Sequence, residues 1–143
     1  MIHTLTVTAL LLVGAPVPQT DAREELKKFQ GTWKLKAANF MAEEKSPEER
    51  MTAQLVVTGD RFVLTLGAET YRGTFTVDPT RRPKTIEVAF TEGEYLKGKT
   101  VLGIYETDGD TRKSCFAAPE QERPADFAAG PNRFVWTWQR DRP

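Results

Sequence analysis

The chain has 143 residues, of which 39% are hydrophobic, and its 20 basic and 20 acidic residues give a net charge of zero at neutral pH. This length predicts one domain with a full hydrophobic core that needs no disulfide crosslinks. The balanced charge argues against nucleic-acid binding, which requires a surplus of Lys and Arg along one face.

Residues 1–22 differ in composition from everything that follows. An apolar run at 5–13 precedes a segment with glycine and prolines, and the first Lys or Arg in the chain is Arg23. The run is too short to span a bilayer as an anchor, but it has the length of the apolar segment of a secretory signal. We predict a signal peptide at 1–22, cleaved after Ala22, and export to the periplasm or the extracellular space. A short buried strand is the alternative.

Cleavage of this signal would remove His3, which is the only histidine. Zinc sites built on imidazole, haem held by histidine and nucleophiles activated by histidine are then excluded for residues 23–143. The single cysteine, Cys115, has no partner for an internal disulfide, and we expect a small buried side chain rather than a reactive thiol. No metal and no cofactor are predicted.

The predicted domain, residues 23–143, is expected to open on a short helix at 21–30. Leu26 and Phe29 lie three positions apart, so the helix has an apolar side that packs on the rest of the domain. Gly31 follows as a residue that readily ends a helix. A second short helix is expected after Ser46, because serine at the N-cap with proline behind it is a strong helix start.

Eight runs show the alternation of apolar and polar residues that is typical of strands. They lie at 32–39, 53–58, 61–66, 69–77, 85–91, 100–107, 111–117 and 132–140. Gly59-Asp60 and Asp108-Gly109-Asp110 separate neighbouring runs with hairpin sequences, and the second lacks the ligand spacing of a calcium loop. The order predicts an all-β protein, an eight-stranded up-and-down antiparallel barrel with a short N-terminal helix closing one end.

The last strand indicates how the sheet closes. Phe134, Trp136 and Trp138 alternate along one face, and Arg140 lies on the same face. The first strand pairs with the last in such a barrel, so Trp33 and Arg140 should meet at the closed end. We predict that the guanidinium stacks on the indole in a structural role. On the first strand the inward residues are predicted to be Trp33, Leu35 and Ala37.

The combination of Gly31-Thr32-Trp33 after a short helix, eight up-and-down strands and Arg140 resembles the lipocalin and calycin pattern over nearly all of residues 23–143. The chain also resembles a family of uncharacterised exported domains abundant in planctomycete bacteria. That second likeness rests on Gln30-Gly31-Thr32-Trp33-Lys34, Gly59-Asp60-Arg61-Phe62, Thr91-Glu92-Gly93, residues 98–106 and Asp108-Gly109-Asp110-Thr111. The lipocalin resemblance implies a barrel that binds a small molecule, whereas the planctomycete resemblance implies no activity.

Alternate connections lie at opposite ends of the barrel, because successive strands reverse direction. The loops at 40–52, 92–99 and 118–131 share the end opposite the helix, which we call the open end, and function commonly lies on such loops. Their apolar side chains would form either the rim of a pocket or a lid on the core. The residues predicted to bind a ligand there are Phe40, Met41, Met51, Tyr95, Leu96 and Phe127.

Three functions are compatible with this barrel. The first is a non-enzymatic exported protein that binds a small apolar molecule at the open end. The second is a protein-interaction or inhibitor-like module with a filled barrel, and the third is a hydrolase that uses a carboxylate pair drawn from Glu92, Glu94, Glu122 and Asp126. The bulky inward residues predict a filled or narrow interior, in which any pocket is shallow and lies near the open end. A cavity above about 300 Å³ would favour ligand binding.

Overall fold

A computed structural model describes residues 19–142, and eight of its strands form one closed antiparallel barrel in up-and-down order. The strands are β1 (Gly31–Phe40), β3 (Ala53–Thr58), β4 (Arg61–Leu66), β5 (Glu69–Asp78), β6 (Lys84–Glu92), β7 (Thr100–Asp108), β8 (Thr111–Ala117) and β9 (Arg133–Arg140). A two-residue strand, β2 (Glu43–Glu44), pairs with the end of β1. The predicted eight-stranded barrel is confirmed, and each predicted strand agrees with an observed one to within one residue at either end.

The barrel closes because β1 pairs with β9 as well as with β3. Trp33 lies opposite Arg140 in the β1–β9 register, and the guanidinium carbon is 4.6 Å from the centre of the indole ring. The predicted contact is therefore confirmed. A bulge in β1 between Leu35 and Ala37 shifts the alternation by one residue, so Ala38 is buried and Ala37 is exposed. The prediction that Ala37 faces inward was wrong for this reason.

The first helix, α1 (Gln19–Lys27), lies at the closed end. It ends three residues earlier than predicted because the amide groups of Lys28 and Phe29 bond to the carbonyl groups of Glu25 and Leu26 in a tighter turn. This turn directs Phe29 into the barrel, where 1% of its surface is exposed. The Phe29 carbonyl then accepts a hydrogen bond of 2.8 Å from the indole nitrogen of Trp33, which ties the helix to β1.

Two further sequence predictions concern the helix start at Ser46 and the signal peptide at 1–22. Helix α2 (Pro47–Met51) begins as predicted, since the Ser46 hydroxyl accepts a hydrogen bond of 3.3 Å from the Glu49 amide. Residues 1–18, most of the predicted signal peptide, lie outside the described part of the chain, and its cleavage after Ala22 stays a prediction. Neither helix within residues 19–142 is long and apolar enough to cross a membrane.

The connection between β8 and β9 lies along the outer wall of the barrel. Its Arg123 donates hydrogen bonds to the carbonyl groups of Ile86 and Gly103. Ile104 and Cys115 are fully buried but belong to the outward face of β7 and β8, apart from the main core. Burial of Cys115 confirms the sequence prediction, and this burial raises the pKa of its thiol. The loop thus covers a small apolar cluster on the outside of the wall.

Candidate functional site

The barrel contains a cavity of about 340 Å³. Apolar and aromatic side chains form most of its wall, which extends from Phe29 at the closed end to Phe40, Leu96 and Phe134 at the open end. The prediction of a filled or narrow interior with a shallow pocket was wrong, because the cavity reaches the full depth of the barrel.

Two glycines explain why bulky inward residues still leave this space. A Cβ atom built on Gly103 would lie 2.5 Å from the ring of Phe116, and one built on Gly73 would lie 3.0 Å from the ring of Phe62. At Gly73 the nearest atom would be the Ala89 carbonyl oxygen, so this glycine also permits the close approach of β6. The rings of Phe62 and Phe116 pack over the two glycines. Because neither glycine has a side chain, both rings find room beside the cavity that they line.

Phe40 and Leu96 are the two predicted ligand-binding residues that line the cavity. Phe40 is half-buried at the mouth, with its ring centre 4.2 Å from that of Trp136. Leu96 packs against the core from the loop between β6 and β7. The structure thus brings one residue from each of two open-end loops together over the cavity.

The other four predicted residues lie away from the cavity wall. Met51 and Tyr95 are each 85% exposed, and Met41 is also exposed. Phe127 lies on the outer wall, where the ammonium group of Lys113 is 5.3 Å from its ring centre. Contact between these four side chains and a ligand stays a prediction.

A tight hairpin that the sequence did not predict positions Phe40. Met41 and Ala42 have φ angles of +53° and +70°, which place both in the left-handed region and join β1 to β2 through a turn of type I′ geometry. Such turns favour Asn-Gly, so Met-Ala gave no turn signal. The Met41 amide bonds to the Arg133 carbonyl at 2.8 Å and fixes the hairpin on the rim.

Glu25 is a buried carboxylate on α1 at the closed end, and three donors surround it. The ammonium groups of Lys84 and Lys28 lie 2.9 Å and 3.0 Å from its oxygens, and the Tyr105 hydroxyl donates at 3.0 Å. Burial by itself would raise the pKa of Glu25, but the hydrogen bonds from Lys84, Lys28 and Tyr105 outweigh it and lower the pKa below its ordinary value. This charge is fully compensated.

Arg112 on β8 is a buried cation that lines the cavity and is 5% exposed. Its guanidinium carbon lies 4.6 Å from the ring centres of both Phe29 and Trp33. Its buried Nη1 has no hydrogen-bond acceptor among residues 19–142. Burial, and next the positive charge of Arg140, lower the pKa of Arg112 to about 9, so the group remains charged at neutral pH.

The sequence analysis missed Arg112, although a signal was present. Arg112 and Lys113 are consecutive in a strand, and consecutive strand residues point to opposite faces. One of the two cations must therefore face the interior of a closed barrel. The Ser114 side chain is on the same face as Arg112 and also lines the cavity.

Arg140 has the structural role that the sequence predicted. Its Nη1 lies 2.9 Å from Oδ1 of Asp110, and its Nη2 donates to the Lys28 carbonyl at 2.6 Å. Asp110 also pairs with Arg142 at 2.7 Å. Gly31 adopts a φ of +110° beside these groups, a conformation that favours glycine. These contacts join α1, the start of β1 and the end of β9.

No group of three or more His, Cys, Asp or Glu side chains within residues 19–142 is arranged to hold a metal ion. The described cavity wall therefore offers apolar surface, one buried cation and a few hydroxyl groups. Comparisons of the chain with protein-family models, curated proteins and solved structures found no match.

Proposed function

We propose that the protein is an exported, non-enzymatic barrel that binds a small, largely apolar molecule in its interior, with entry at the open end. The cavity of about 340 Å³ carries this proposal. Ligand pockets commonly measure roughly 300–1,000 Å³ and have mostly apolar walls. Water has few polar partners in such a space, so an apolar molecule would replace it favourably.

The cavity volume limits the size of the ligand. At roughly 30 Å³ per non-hydrogen atom, the value for liquid water, the space accommodates on the order of ten such atoms. A ligand of that size that gains about 0.6–0.8 kcal/mol per atom would bind with a Kd of roughly 1–50 µM. We therefore expect binding in the micromolar range.

The non-enzymatic part of the proposal is supported by the positions of the carboxylates. The cavity wall contains none among the described residues. At the open end, Glu92 pairs with Arg72 at 2.7 Å, and Asp126 pairs with Arg133 at 2.6 Å, with both carboxylates on the surface. Hydrogen bonds from Arg133 and from the Ala128 amide lower the pKa of Asp126, whereas a general acid needs a raised one.

Binding of 1-decanol tests the proposed function, because this neutral probe has about the expected size. Trp136 and Trp138 line the cavity, so tryptophan fluorescence should change as the probe enters. Val88→Phe adds a ring to the wall and should weaken binding at least tenfold, with Leu55→Phe as a second filling variant. The double variant Met51→Ser, Tyr95→Ser should bind like the wild type if the ligand lies in the interior, because neither residue lines the cavity, whereas weaker binding would support the predicted contact of these two residues with the ligand. Absence of saturable binding to the wild type would contradict the proposal.

The lipocalin kinship and the resemblance to planctomycete exported domains belong to the same proposal. The closed eight-stranded barrel and the contact of Trp33 with Arg140 support the first of them. Export is supported by the apolar run at 5–13.

A second candidate, a protein-interaction module, is favoured by the exposed apolar side chains at the open end. The large hydrophobic residues that are exposed in residues 19–142 are Met41, Met51 and Tyr95, and all three belong to open-end loops. Capture of a partner from the exported proteins of the host would test this function. Met51→Ser with Tyr95→Ser should abolish such capture and Val88→Phe should preserve it, which is the reverse of the pattern expected for ligand binding.

A further inference from the structure

The charge at the base of the cavity indicates what kind of apolar molecule fits. Arg112 is nine-tenths buried, lines the cavity, and has a buried Nη1 without an acceptor in the described part of the chain. An uncompensated buried charge is among the least favourable arrangements in a protein interior. A guanidinium also presents five N–H donors, which aromatic rings do not satisfy as carboxylate oxygens would.

Two acidic side chains at the closed end, Glu25 and Asp110, are engaged with other cations. Glu25 binds Lys84, Lys28 and Tyr105. Asp110 pairs with both Arg140 and Arg142. The rings of Phe29 and Trp33 offset part of the positive charge of Arg112 through their faces. A full counter-charge has to enter through the cavity.

We propose that the ligand is an apolar carboxylic acid whose carboxylate binds Arg112 at the closed end, while its hydrocarbon chain extends past Phe40 and Leu96 to the mouth. This inference rests on the proposed function. A carboxylate matches a guanidinium in geometry and charge, and Ser114 beside Arg112 adds a hydroxyl group to the same part of the wall. One cation that lacks an ion pair among residues 19–142 calls for one negative charge, and the volume accommodates a chain of about eight to ten carbon atoms.

Calorimetric titration with decanoate, 1-decanol and decylamine at pH 7.5, below their aggregation concentrations, tests the headgroup. Wild-type protein should bind decanoate at least tenfold more tightly than 1-decanol and should bind decylamine more weakly than either. In Arg112→Met the affinity for decanoate should fall to that for 1-decanol, while 1-decanol binds as before. Lys113→Met is the matched control, because it removes the neighbouring cation from the outer face and should leave the preference intact.

The outcomes separate this inference from the function on which it rests. Equal affinities of the wild type for decanoate and 1-decanol would overturn the inference and leave the proposed function standing. Failure of all three probes to bind would overturn both. A preference for decanoate that persists in Arg112→Met, or disappears equally in Lys113→Met, would overturn the assignment to Arg112. Arg112→Gln removes the same charge and replaces Arg112→Met in the test if the latter does not fold.

Discussion

The closed end of the barrel contains two regions with a buried charge, one around Glu25 under α1 and one around Arg112 at the base of the cavity. Glu25 accepts from three donors, whereas Nη1 of Arg112 has no acceptor in residues 19–142. The protein therefore satisfies a buried charge completely where it joins the helix to the barrel wall. The described residues leave one unsatisfied where the side chain lines the apolar cavity, and that contrast distinguishes a structural charge from a candidate binding group.

The two regions should respond in opposite ways to removal of their charge. Loss of one member of a buried, hydrogen-bonded pair leaves its partners uncompensated and is destabilising. Loss of an unpaired buried charge removes a desolvation cost and leaves nothing behind. Substitutions at Glu25, Arg112 and Arg140 test this difference directly, because each changes one charge at the same end of the barrel.

The largest effect is expected for Glu25→Gln. The amide keeps the shape but loses the charge that compensates Lys84 and Lys28, and we expect the free energy of unfolding to fall by about 2–3 kcal/mol. The value lies at the lower end for buried pairs because the Lys28 side chain is half exposed. Denaturant unfolding measures it. Glu24→Gln is the control, since its ion pair with Lys27 is exposed and should contribute below about 0.5 kcal/mol. Equal losses in the two variants would contradict the proposed compensation.

The contribution of Glu25 to the stability of the protein should also depend on pH. Hydrogen bonds and ionic contacts outweigh burial and lower the pKa of Glu25 in the folded protein, so its carboxylate stabilises the fold above the unfolded pKa. This contribution is lost as the pH falls through the lowered folded pKa. We expect the stability difference between wild type and Glu25→Gln to be constant above about pH 5 and to shrink in more acidic solution. A difference that stays constant down to about pH 2.5 would contradict the lowered pKa.

Most of the fold was predictable because its signals are local. Alternation marked each strand, and Gly59-Asp60 and Asp108-Gly109-Asp110 marked two of the hairpins. Closure was inferred from the order of the eight strands, and the meeting of Trp33 with Arg140 followed from closure. The inward position of Ala37 was not predictable, because the bulge in β1 depends on its pairing with β9.

The cavity and its charge were less accessible to sequence reasoning. The bulky inward residues predicted a filled or narrow barrel, but Gly73 and Gly103 have no side chains, and the rings of Phe62 and Phe116 pack over them. This effect depends on contacts between strands, which one-dimensional patterns do not contain. Arg112 was different, because its position next to Lys113 was sufficient to place one cation inside.

Arg140→Met adds a third charge to the comparison of Glu25 with Arg112. The guanidinium carbon of Arg140 is 4.6 Å from the Trp33 ring centre, the same distance as that of Arg112, but Arg140 also binds Asp110 and the Lys28 carbonyl. We expect a loss of about 1–2 kcal/mol in the free energy of unfolding, from the hydrogen bonds to a charged group and the cation–π contact. Thermal and denaturant unfolding both report it. An unchanged stability would mean that these contacts contribute nothing to closure.

Arg112→Met is expected to have the smallest effect and the opposite sign. It loses a cation–π contribution of about 0.5–2 kcal/mol from Phe29 and Trp33, but it also removes the larger desolvation cost of an unpaired buried charge. We therefore expect the ligand-free protein to gain up to about 1 kcal/mol, measured by denaturant unfolding beside Lys113→Met, which should change little. Decanoate should reverse the order of the two variants, because the protein that retains Arg112 binds the acid at least tenfold more tightly and therefore gains more stability from it. A loss above about 1 kcal/mol in the ligand-free Arg112→Met would show that the guanidinium is satisfied without a ligand, and the contrast between the two buried charges would no longer hold.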